Sequence, residues 1–180
     1  MEFVSQNFPY RPAESFVSAC NDTLTREVSA YRFVGGVITP ISNEAEISEI
    51  GEALDRGRSP VRTHLARALE MLSDRKSPDY RNSIKESISA VESLVAAVVG
   101  EKGTLGQLVK KLEDEIGLHP ALRTAFSNLY GYKSDEDGIR HALLESRDLA
   151  FEDAKFFLVV CSAFVNFVES KVAGCKANPD

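Results

Sequence analysis

Between Asn82 and Val98 the chain places Ile84, Ile88, Val91, Val95 and Val98 at intervals of four and three. Asn82, Lys85, Glu86, Ser89, Glu92 and Ser93 fill the opposite side. This is the repeat of an α-helix with one apolar face, since a strand would alternate every second residue. Such a stripe has to be covered by other elements, which the rest of the chain supplies.

Most of what it supplies is helical. From Arg11 to Ala30, Phe16, Ala19, Cys20, Leu24 and Val28 stand about one turn apart. Asn43 with Glu46 forms a capping box before Ile47, Ile50 and Leu54, in a helix ending near Gly57. Ser59-Pro60 starts a helix with Val61, Leu65, Leu69 and Leu72 on one face, which stops at the loop from Ser73 to Asp79. Beyond Gly100 and Gly103, Thr104 with Gln107 caps a helix through Leu105, Leu108 and Leu112, and Pro120 opens another through Leu122, Phe126 and Leu129. A polar loop, Gly131 to Gly138, and a short segment, Ile139 to Glu145, precede a final helix from about Glu152 to Lys171. The exception is Tyr31 to Pro40, where β-branched and aromatic residues flank Gly35-Gly36 and predict an extended or hairpin element. The fold class predicted is therefore all-α, a helical bundle with a small hairpin near 31–40. Leu69, Ile88, Val91, Val95, Phe126, Leu158, Cys161 and Val165 are expected in its core.

With 180 residues, 43% hydrophobic and 27% charged, the chain has enough apolar side chains to exclude wholesale disorder. Phe156 to Val168 is its greasiest stretch, yet at 13 residues with Ser162 and Asn166 inside it reads as a core helix or a self-association face, not a membrane span. Three scattered cysteines, Cys20, Cys161 and Cys175, supply neither a disulfide framework nor a structural zinc, and fit a reducing compartment. Glu2 and the lack of an apolar run after it argue against a secretory leader, so a cytoplasmic location is expected. No Gly-x-Ser-x-Gly, Gly-Lys-Ser/Thr or Gly-x-Gly-x-x-Gly motif occurs, which removes the common hydrolase, NTPase and dinucleotide classes. No cofactor and no metal are expected, because Asp135-Glu136-Asp137 lacks the regular oxygen spacing of a hard-cation loop.

Charge is uneven. Arg56 to Lys85 holds eight basic residues against Glu70, Asp74 and Asp79, a balance of +5 that leaves -11 for the remainder of a chain whose total is -6. One reading is a surface that tracks phosphates; the other is a solvated helix pair whose arginines answer acidic neighbours. Of the histidines, His64 reads as a surface or boundary residue and His119 as a turn residue. His141, directly after Arg140 and the loop Ser134-Asp-Glu-Asp-Gly-Ile, is the one placed for chemistry, with Asp137 as a supporting first-turn acid.

The segments Pro78-Asp-Tyr-Arg-Asn-Ser-Ile-Lys-Glu-Ser-Ile-Ser-Ala-Val-Glu92, Thr104-Leu-Gly-Gln, His119-Pro-Ala-Leu-Arg and Leu129 to His141 resemble the C-terminal HEPN-type domain of AbiJ-like abortive-infection proteins. The resemblance takes in Tyr31 to Leu54 and Ala154 to Asn166 as well. It implies an N-terminal helical extension at 1–30, a HEPN-like helical domain at 31–172 and a tail at 173–180. It also implies a homodimer and metal-independent RNA cleavage in anti-phage defence. The family's signature is Arg, four to six residues, then His; here Ser134, Asp135 and Glu136 stand where the Arg belongs, and Arg140 is the substitute cation beside His141. On this reading Arg62, Arg81, Asn82 and Lys85 hold the RNA backbone and Glu86 supports them. The alternative expectation is a non-catalytic dimerisation or regulatory module acting on a partner effector or sensor protein, with no membrane involved.

Overall fold

A computed structural model describes residues 14–103, 105–134 and 149–177. Its elements are α1 (Glu14–Arg26), β1 (Arg32–Val34), β2 (Val37–Thr39), α2 (Glu44–Arg56), α3 (Ser59–Ser73), α4 (Tyr80–Val99), α5 (Leu105–Ile116), α6 (Pro120–Ser134) and α7 (Phe151–Ala177). The architecture is all-α with one small antiparallel hairpin, as the periodicities predict.

The hairpin exists because Gly35 and Gly36 both take positive φ, 55° and 89°, the turn that matches the twist of two short strands. Phe33 pairs with Ile38 across it. Asn21 of α1 clamps the hairpin, since its Nδ2 donates to the Phe33 carbonyl at 3.0 Å and its Oδ1 accepts from the Phe33 N–H at 2.8 Å. The ring of Phe16 meets that of Phe33 edge-on at 6.3 Å. α1 buries none of its own residues, and Val28 is outside it, 89% exposed at φ 52°. The predicted helix therefore stops short of Val28, where the backbone turns left-handed to reach β1.

α3 and α4 form an antiparallel pair. Asp79 N–H donates to the Met71 carbonyl at 3.0 Å and Ser83 Oγ donates to the Ala68 carbonyl at 2.8 Å, so four residues forward into α4 match three back on α3. α4 and α7 run side by side in the same direction. Tyr80 and Phe151 meet at their starts, with rings 6.4 Å apart, and Arg58 joins Ala97 to Glu169 near their ends. α4 is the more enclosed of the two: Ser83, Ile84, Ser87, Ile88, Ala90, Val91, Leu94 and Val95 are all buried, and its polar side is half-covered instead of open. α2 and α5 flank this layer, and α6 reaches α7 through Phe126, stacked at 3.9 Å on Phe164.

Several sequence expectations are corrected here. Phe126 packs on the core but is half-buried, and Leu122 is exposed. α6 runs on through Gly131 to Ser134, where a polar loop is predicted. The capping box closes on one side only: Asn43 Oδ1 accepts from the N–H groups of Ala45 and Glu46, while the Glu46 carboxylate pairs with Lys155 at 2.9 Å. α7 continues through Ala177, and by length and composition it reaches what a bilayer crossing requires, with a mean hydropathy of 1.6. Ala154, Phe157, Leu158, Cys161, Phe164, Val165 and Val168 lie in the common core, so α7 works as a bundle helix. The capping role of Thr104 and the segment from Ile139 to Glu145 lie outside the described residues.

The burial pattern predicts the outcome of a paired substitution. Leu65→Ala removes a side chain with no exposed surface and is expected to cost about 2–5 kcal/mol in urea denaturation, whereas Leu122→Ala on the exposed side of α6 should change stability by less than about 0.5 kcal/mol.

Candidate functional site

The basic stretch folds into the α3–α4 pair and the turns at its ends. Seven of its eight cations fall into two groups, and the eighth, Lys76, is exposed in the loop between the helices. Arg56 bonds Glu52 one turn back on α2 at 2.5 Å. Arg58 bonds Glu169 of α7 at 3.2 Å and donates to the Ala97 carbonyl at 3.2 Å. The Arg75 guanidinium lies 5.0 Å from the centre of the Tyr31 ring. These three arginines serve the structure.

Arg62, Arg67 and Arg81 are exposed, Lys85 is half-buried, and none of the four forms an ion pair among the described residues. Arg81 and Lys85 stand one turn apart on the same side of α4. The antiparallel register sets Arg62 level with about residue 88, about 5 Å beyond Lys85 along the pair at about 1.5 Å per residue. The loop between the helices is shaped by Asp74, whose Oδ1 accepts from Lys76 N–H at 2.8 Å and Ser77 N–H at 3.1 Å. Those two backbone donors hold its carboxyl below the ordinary carboxylate range. The order they give the loop is present at neutral pH and lost as pH falls through that lowered value.

Asn82 has a local task. Its backbone N–H and its Nδ2 both donate to Asp79, at 3.0 and 2.6 Å, which caps the start of α4. Glu86 does not stand alone either. Its Oε2 is 2.6 Å from Nδ1 of His64, and the two side chains are 23% and 28% exposed. An ionised carboxylate only accepts, so Nδ1 of His64 is the donor in this contact. The sequence alone marks His64 only as a surface or boundary residue. A signal is nevertheless present: counting equal steps outward from the short 74–79 loop along two antiparallel helices brings residue 64 opposite residue 89, within one turn of Glu86.

The other histidine described, His119, caps α6, its Nδ1 accepting from Ala121 N–H at 3.1 Å. Cys161 is buried in α7, and burial pushes its thiol far above the ordinary range, which makes it inert as a nucleophile. Among the described residues no three His, Cys, Asp or Glu side chains gather as a metal site. Arg140, His141 and Asp137 lie outside the described residues.

Residues 1–56 match the family described as AbiJ N-terminal domain 4. The matched stretch covers α1, the hairpin and α2, and so crosses the boundary that the sequence reading draws at residue 30. Neither a curated protein nor a solved structure matches the chain. What the match supports is a relation to AbiJ-type abortive-infection proteins through the N-terminal part of the chain.

The division of the cations is measurable. Arg58→Ala leaves the half-buried Glu169 carboxylate without its partner and should lower stability by about 1 kcal/mol, while Arg62→Ala should leave the denaturation midpoint within about 0.5 kcal/mol of the unaltered protein.

Proposed function

We propose that this chain is a helical RNA-binding module of a bacterial abortive-infection system, related to HEPN-type domains. The observation that carries the binding half of this reading is the set of four cations on α3 and α4 that form no ion pair among the described residues, Arg62, Arg67, Arg81 and Lys85, in a chain of net charge -6. A cation that the fold does not need is free to exchange its counterions for phosphates. The abortive-infection half is supported by the match of residues 1–56 to AbiJ N-terminal domain 4.

Within this proposal Arg140 and His141 carry metal-independent RNA cleavage, with His141 moving the proton of a ribose 2′-hydroxyl and Arg140 offsetting charge on the phosphate. Asn82, engaged with Asp79, contributes through the cap that orders the first turn of α4. The site is completed by a second copy of the chain in a homodimer, and the protein works in the cytoplasm.

A second reading, a dimerisation or regulatory module acting on a partner effector, is favoured by Phe156. Its ring is 54% exposed on α7, with Val159 and Val160 half-buried one turn on.

Reversing Arg62, Arg81 and Lys85 together to Glu should abolish binding to single-stranded RNA, and the unaltered protein should lose affinity steeply with salt. In EDTA, His141→Ala should cut cleavage by roughly 10² to 10⁴. Unchanged affinity and salt slope in the triple variant would assign the cations to solvent. Failure of the unaltered protein to bind RNA, together with a stable dimer by sedimentation, would favour the regulatory reading.

A further inference from the structure

α7 buries one side in the bundle through Leu158, Cys161 and Val165, and its opposite side is only partly covered. That outer side is apolar, where a helix at the rim of a bundle is ordinarily polar. Phe156 is 54% exposed, Val160, Ala163 and Phe167 are half-buried, and the four follow one another at intervals of four, three and four. Helices that pack their seams together have this spacing. We infer that this face of α7 is where a second copy of the chain docks, antiparallel, about a two-fold axis crossing the helix between Cys161 and Ser162, an assignment that rests on the homodimer of the reading above and not on its RNA half.

The order of residues along the face reads alike from both ends. The axis sets Phe156 level with Phe167 of the second copy, so aromatic meets aromatic at both ends of the stripe. Val160 comes level with Ala163 of the second copy, and the smallest side chain of the stripe lies near its middle, where it lets the two backbones approach. A face that contacts itself across a two-fold axis needs such self-complementarity, and a face made for an unrelated protein does not.

Charge points the same way. Glu152 lies one turn before Phe156 and Lys171 one turn after Phe167, so both continue the face. Both are exposed, and neither forms an ion pair among the described residues. The Lys171 ammonium is 5.9 Å from the centre of the Phe167 ring of its own chain, which keeps it beside the stripe. The same axis brings Glu152 level with Lys171 of the second copy, twice over by symmetry. Parallel docking would set Glu152 against Glu152 and Lys171 against Lys171, like charges at both ends.

The fold itself gives Phe156 no comparable task. Its ring meets only that of Phe157, edge-on at 5.7 Å on the same helix, while Phe157 is the one buried in the core.

The test is sedimentation equilibrium of the full chain, with circular dichroism to verify the fold of each variant. At tens of micromolar the unaltered protein should give twice the 19.8 kDa of one chain. Phe156→Glu should raise the dimer dissociation constant by about 100-fold or more. Lys171→Glu should raise it by about ten-fold, and adding Glu152→Lys should recover part of that loss. A monomer from the unaltered protein overturns this inference and the homodimer with it, and leaves RNA binding by the cations of α3 and α4 standing. A dimer that Phe156→Glu does not weaken overturns the α7 face alone. A dimer that Phe156→Glu breaks, but that Lys171→Glu leaves unchanged or Glu152→Lys fails to recover, refutes the antiparallel register.

Discussion

α4 is covered on two sides, by α3 and by α7, and the rest of the molecule is arranged to make that possible. Its buried residues include Ser83 and Ser87 as well as Ile84, Ile88, Val91, Leu94 and Val95. The small serines let the helices approach closely, and neither hydroxyl is left unsatisfied: Ser83 Oγ donates to the Ala68 carbonyl and Ser87 Oγ to the Ser83 carbonyl. With α4 held in this way, the short loop at 74–79 forces α3 to return antiparallel, and α7 closes the other side. Polar ties at the rim set the angle of α2: Lys155 on Glu46, and Asn166 Nδ2 on the carbonyl and carboxylate of Glu49. The cations of α3 and α4 have their positions because of this packing.

Much of this was legible from spacing alone. The stripes of α3, α4 and α7 predict the residues that are buried, because an apolar face repeated every three or four positions has no stable place except against another such face. The Gly35-Gly36 turn was legible for a different reason, since two adjacent positive φ values favour glycine. What escaped was set by contacts distant in sequence. Glu46 belongs to a capping box on paper, yet Lys155 attracts its carboxylate once α7 lies beside α2. The polar side of α4 looks like a solvent face in isolation and is half-covered in the bundle. Val28 continues the apolar rhythm of α1, but the hairpin clamp by Asn21 fixes where the chain has to turn, and the rhythm does not record that.

The site shows the same division. A count of charges finds the basic stretch but not which of its arginines the fold uses. Arg58 and Glu169 are 111 positions apart, and only the meeting of α3 with α7 makes them partners. Once these pairs are removed, the remaining cations of the stretch lie on α3 and α4 and, for Lys76, in the loop between them, while the acidic excess is spread over the rest of the chain. On the proposed RNA reading, such polarity orients the polyanion before contact. Residues 1–56, which match AbiJ N-terminal domain 4, precede this surface in the chain and support an association with abortive infection.

The most direct measurement of where RNA meets the protein is a titration of isotope-labelled chain with a short single-stranded RNA, followed by amide and imidazole NMR. The arrangement predicts shifts concentrated between Arg58 and Ser89, together with a change at the His64 ring, and little change along Phe156 and its neighbours on α7. Shifts confined to the α7 face, or none at RNA concentrations that saturate ordinary phosphate-tracking proteins, would contradict it.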